Sequence, residues 1–156
     1  MTETAYTPGT WLGIVGDNAC VLLPPAEKKR AAALWALIDD GAGFDEVLDA
    51  LLADGLRNLP AFVLIAESDG VTRAVVRGGV VARFTTPEAT VDVDGASAAT
   101  WAEQSLADVT ALQISVGEEP TGPATALRRG LVRVSGLLSQ TGSAGAVTPA
   151  GAAAPA

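Results

Sequence analysis

The chain has 156 residues, 10 basic and 18 acidic side chains, a net charge of −8 and a pI near 4.3. It contains no histidine and a single cysteine, which removes Ser-His, Cys-His and His-metal chemistry, any internal disulfide and any multi-cysteine zinc site. So acidic a chain repels nucleic acid, whose binding depends on neutralising phosphates.

Length predicts one domain. No apolar run approaches the roughly 20 residues that span a bilayer, and the polar start Met1-Thr2-Glu3-Thr4 has no signal-peptide pattern. These features predict a cytoplasmic protein with no membrane insertion, and the lone Cys20 reads as a buried, reduced thiol.

Residues 1–9 read as a flexible arm. Trp11–Val15 and Ala19–Leu23 then read as two strands joined by Gly16-Asp17-Asn18, turn residues that tolerate positive φ. Pro25 opens a helix predicted to reach Asp40, with Ala31, Leu34, Trp35 and Ile38 on one face. Gly41-Ala42-Gly43 stops it, and a second helix runs from Phe44 to Asp54 with Phe44, Val47, Leu48, Leu51 and Leu52 in a stripe. Asp45 and Glu46 suit its first turn, and Gly55 its left-handed C-terminal cap.

From Ala61 onward the period changes to strands. Ala61–Ala66, Val71–Arg77, Val80–Phe84 and Thr90–Asp94 are short apolar or alternating runs between turn signals, the pattern of an antiparallel meander. Thr100–Leu106 reads as a strand paired with Ala111–Val116. The expected fold is therefore α+β: an N-terminal β-hairpin, two amphipathic helices, then a meander of about six strands. The body is expected to span residues 10–116. Residues 117–156 are expected to be linker and low-complexity tail, disordered from Thr141, with a short strand near 131–134.

Acidic residues are the available catalytic groups. Asp39, Asp40, Asp45, Glu46 and Asp49 cluster around the helix connection, but their positions beside glycines on polar faces predict a solvated surface. Asp92-Val93-Asp94-Gly95 lacks calcium-loop spacing and reads as a strand end with outward carboxylates. No dinucleotide or phosphate-loop glycine motif occurs. Neither a catalytic residue, a metal site nor a cofactor is assigned.

Lys28, Lys29 and Arg30 open the first helix while Asp39 and Asp40 close it, opposite to the dipole preference. Most other positive charge lies later, at Arg73, Arg77, Arg83, Arg128, Arg129 and Arg133. Arginines alternating with apolar residues can form a basic stripe for an acidic or phosphorylated partner, or balance Asp92, Asp94 and Glu103 across the sheet. Arg73, Arg77, Arg83 and Trp101 form the candidate partner surface.

The runs Pro8–Gly16, Val21–Pro25, Leu34–Leu52, Leu59–Leu64 and Thr100-Trp101 together resemble the N-terminal region of actinobacterial proteins that carry a forkhead-associated (FHA) domain further along. The resemblance covers residues 8–116 and rests on structural, not catalytic, motifs. The FHA phosphothreonine reader uses a histidine this chain lacks, so no residue here inherits phosphopeptide binding. The resemblance implies the module that precedes a linker, and the Ala/Gly/Pro tail resembles that linker. The expected function is a non-catalytic interaction or regulatory module of an FHA-type signalling protein, with a protein partner. The alternatives are a self-assembling structural protein and a carboxylate-dependent hydrolase.

Overall fold

A computed structural model describes residues 2–16, 19–53, 55–97, 100–117, 119–127 and 130–141. The strands are β1 (Thr2–Val15), β2 (Ala19–Leu23), β3 (Phe62–Ser68), β4 (Val71–Arg77), β5 (Val81–Thr85), β6 (Thr90–Asp94), β7 (Ala102–Ala107), β8 (Ala111–Ser115), β9 (Thr125–Ala126) and β10 (Gly130–Thr141). Between β2 and β3 lie α1 (Lys28–Asp39) and α2 (Phe44–Leu52).

All strands belong to one antiparallel sheet in the order β6-β5-β8-β10-β1-β2-β3-β4-β7, with β9 alongside β1. The sheet curls into a nearly closed barrel. Its interior cluster joins Val93 and Phe84 near one end of the order to Ala74 and Val76 near the other, together with Leu22, Val63, Ile65, Ile114, Val134 and Leu137. Only a curled sheet brings strands from opposite ends of the order into one cluster.

The alternate positions of β1 to β4 face outward, where α1 and α2 cover them. Leu12, Ile14, Val21, Leu23, Phe62, Leu64 and Val75 pack there with Ala31, Leu34, Ile38, Phe44, Val47 and Leu51. Buried on both faces, β2 and β3 read as continuous apolar runs.

This architecture corrects the expected hairpin, helices and six-strand meander. From β2 through β8 strand positions are close to those read from the sequence, and the β1–β2, β3–β4 and β5–β6 hairpins form. The meander does not. β7 pairs with β4, not β8, and β8 lies between β5 and β10.

The supposed arm and linker supply the central ladder. β1 begins at Thr2 and pairs with β10 from Thr2↔Thr141 to Val15↔Gly130, so the body reaches well beyond Val116. Pro8-Gly9, at the end of the expected arm, lies at a register shift where Pro8 and Trp11 both oppose Val134. Such a bulge accommodates a proline inside a strand and bends it.

Gly136 marks a close approach. A Cβ there would lie 2.9 Å from the Ile114 carbonyl oxygen of β8. Ser135 beside it is buried, yet its hydroxyl donates to the Thr7 carbonyl at 3.3 Å and lies 2.8 Å from Thr7 Oγ1. A buried hydroxyl is tolerated in a barrel when it is so bonded.

α1 begins at Lys28, three residues after Pro25. The misplaced charge at its start has a structural use. Arg30 donates to the Leu51 carbonyl at 3.0 Å and the Asn58 carbonyl at 3.3 Å, and pairs with Glu27 at 2.9 Å. It thereby serves the C-terminal end of α2, where a cation is favoured. α2 ends at Leu52, and Gly55 takes φ +86° while its N–H donates to the Leu52 carbonyl. The 17–18 turn, the Arg128-Arg129 pair and residues 142–156, read as low-complexity tail, lie outside the described residues. Among the described residues no helix is long and apolar enough to cross a membrane.

Candidate functional site

A two-residue turn joins β3 to β4, with Ser68 opposite Val71 and both turn residues at positive φ (Asp69 +54°, Gly70 +79°). Asp-Gly is the pair such hairpin turns favour, because their twist matches that of the strands. The hairpin faces the first turn of α2, and between them lies an open cleft of about 830 Å³. Asp45, Glu46, Glu67 and Asp69 give it an acidic rim, and Arg73 contributes the cation.

Arg73 faces outward from β4 with its guanidinium 3.8 Å from the centroid of the Phe44 ring. It is 3.5 Å from a Glu103 oxygen on β7 and 3.7 Å from an Asp45 oxygen on α2. Asp45 is 88 % exposed, so that pair contributes little. The contact with Phe44 and the neighbouring strand instead fixes the guanidinium in place.

Arg77 lies four residues along the same face, and its guanidinium donates to the Thr100 carbonyl. The hydrogen bond tethers the segment entering β7, where Trp101 packs half-buried against the helix-side core. Three of the four candidate residues, Arg73, Arg77 and Trp101, thus gather on the outer side of β4 and β7. Arg83 does not join them. It projects from β5 and binds Asp92 of β6 in a two-pronged pair, at 2.8 and 3.1 Å. This pairing raises the Arg83 pKa, and the Arg83 hydrogen bond holds the Asp92 carboxyl below the usual carboxylate range.

A single basic stripe therefore does not form, because β4 and β5 are not neighbours. Two of the balancing acids named from the sequence, Asp92 and Glu103, do take up arginines across the sheet. Asp45 and Phe44 as partners of Arg73 were not legible, since only the docking of α2 on the sheet brings them there. The carboxylates at the helix connection, Asp39, Asp40, Asp45, Glu46 and Asp49, are all exposed, as expected. Asp92 and Asp94 project from β6, also as expected of a strand end. Cys20 is buried in the barrel, and burial pushes its thiol pKa up to about 12, which leaves it protonated and unreactive at neutral pH.

Among the described residues no group of three or more Cys, Asp or Glu side chains is arranged to hold a metal ion. The arrangement leaves the charged ends of Arg73, Asp45 and Glu103 open to solvent beside the half-buried Trp101. No family model matches the chain, and neither the curated proteins nor the solved structures give a match.

Proposed function

We propose that this chain is a non-catalytic protein-interaction module, the N-terminal part of an FHA-type signalling protein. The observation that carries the reading is the packing of the barrel. Its interior is filled by apolar side chains such as Phe84, Leu22, Ile114 and Val134, all with essentially no exposure, where a ligand-binding barrel would hold an open cavity. The chemistry offered to other molecules is then the outer surface, where Arg73, Arg77 and Trp101 are held by the fold. The resemblance over residues 8–116 supports the signalling context.

The test uses the whole chain, because β10 sits in the middle of the sheet. Immobilised protein should capture a partner that, once identified and purified, binds in solution and loses affinity to the Trp101→Ala variant. Recovery of nothing above a variant with a scrambled charged surface would refute the reading. An FHA domain encoded downstream of Ala156 is expected, and its absence there would count against the signalling context.

A further inference from the structure

The outward side of α1 is exposed along its whole length. Ala31, Leu34 and Ile38 turn to the sheet, while Lys29, Ala33, Ala36 and Asp40 face solvent. The spacing i, i+4, i+7, i+11 places these four on one ridge.

Charge on this ridge runs against the helix dipole. Lys28 and Lys29 stand at the N-terminal end and Asp40 at the C-terminal end, with no acid in the first turn and no base in the last. Arg30, the third cation of the first turn, is taken up by the carbonyls of Leu51 and Asn58. Lys28, Lys29 and Asp40 have no such use, since among the described residues their side chains make no ion pair. A local rule broken with no compensation inside the chain points to a contact outside it.

The polarity extends to the neighbouring elements. The bond from Arg30 to Leu51 sets the start of α1 beside the end of α2, where Arg57 follows. Asp45 and Glu46, in the first turn of α2, belong to the other end. One end of the helical layer is therefore basic and the other acidic. Lys29 and Asp40 are about 16 Å apart along the axis at 1.5 Å per residue, twice the Debye length of about 8 Å at physiological salt, so each end acts by itself.

One surface matches such a face by construction: the same face of a second copy, turned end for end. A parallel approach would set lysine over lysine and aspartate over aspartate. The antiparallel approach sets lysine against aspartate twice, about a two-fold axis, and so closes as a dimer. Ala33 and Ala36 lie at the centre, where no long side chain keeps the helices apart.

We propose that α1 is a self-recognition face through which two copies pair antiparallel, with Lys28 and Lys29 of each against Asp40 of the other. Two short helices make a small interface, so association is weak and concentration-dependent. The net charge of −8 opposes approach from a distance, but salt screens it and leaves the contact charges to set the orientation. This contact goes beyond the partner surface at Arg73, Arg77 and Trp101 and does not depend on it.

Sedimentation equilibrium of the whole chain at rising concentration should show monomer and dimer. Lys29→Glu and Asp40→Lys should each weaken the dimer about tenfold, because two opposite-charge contacts become two like-charge ones. The two substitutions move the net charge in opposite directions, so a general charge effect would separate them. Each also brings α1 into line with its dipole, so urea unfolding should find both monomers at least as stable as the unsubstituted chain. An equimolar mixture of the two variants should recover the original association as a heterodimer, since both of its contacts then join opposite charges. A strict monomer at millimolar concentration, a dimer that neither variant weakens, a mixture that stays monomeric, or an open series of larger species would each overturn the proposal.

Discussion

The pairing of β1 with β10 joins segments more than a hundred residues apart and can be tested at one side-chain contact. A Cβ built on Gly13 would lie 2.9 Å from Val134 Cγ1 and 3.2 Å from Cγ2. Val134 is fully buried and stiff at χ1, so it cannot swing aside. Gly13→Ala should cost about 1–3 kcal/mol in overpacking, offset by about 0.4–1 kcal/mol from the less flexible unfolded chain. Val134→Ala removes two buried methyl groups, about 1.6 kcal/mol of transfer free energy before the cavity is counted. In the double variant the new methyl of residue 13 enters the space that Val134 leaves. Its destabilisation should therefore fall short of the sum of the single effects by about 1–2 kcal/mol, within the range of directly contacting pairs. Urea unfolding followed by the fluorescence of Trp11, Trp35 and Trp101, all half-buried, measures each free energy. Additivity within about 0.5 kcal/mol would refute the contact, and with it the placement of residues 130–141 in the barrel.

Three further outcomes follow from the same structure. Removal of residues 117–156 should abolish the cooperative unfolding transition, because it strips β10 from between β1 and β8; a cooperatively folded 1–116 fragment by circular dichroism would contradict the topology. Cys20, with its thiol raised from 9.0 to about 12, should react with a thiol reagent at pH 8 only after denaturant is added. Since the raised value belongs to the folded state, its contribution is complete below pH 9 and is lost as pH climbs toward 12; Cys20→Ala should flatten that slope, and an unchanged slope would argue against the buried thiol. Asp92→Asn should lower the unfolding midpoint slightly at neutral pH. Because the Asp92 pKa is depressed in the fold, the difference should close as pH falls through the acid range or as salt rises, and a difference that persists in both would point away from the Arg83 pair.

Local order was legible in this sequence wherever period and punctuation agree. The stripe Phe44, Val47, Leu51 gives α2, and the alternation of Thr90–Asp94 gives β6. Asp69-Gly70 gives the β3–β4 turn, and Gly55 closes the α2 terminus. Each is a property of neighbouring residues, set by side-chain geometry and the positive φ that glycine permits.

β10 was largely hidden, with only its 131–134 stretch hinted at. Its glycines and serines, Gly130, Ser135, Gly136 and Ser139, lower strand propensity, and Ser135 and Gly136 make sense only against Thr7 and Ile114. Residues 1–9, read as an arm, misled for the same reason, since the bulge at Pro8 makes sense only with its partner strand.

Pairing itself lay beyond the sequence. Nothing in Ala102–Ala107 says that β4, not β8, is its neighbour, because antiparallel edges are chemically alike and curvature selects among them. The candidate site divides along the same line. Composition excluded histidine chemistry at once, and alternation anticipated that arginines would balance acids across the sheet, as Arg83 does with Asp92 and Arg73 with Glu103. Closing the sheet decided the rest: it separated Arg83 from Arg73 and Arg77 and brought Phe44 beneath Arg73. The sequence alone thus determined most helix and strand positions between Trp11 and Ser115 and the absence of histidine chemistry. The tertiary structure decided which strands meet and which charges share a face, because those depend on burial and closure across distant parts of the chain.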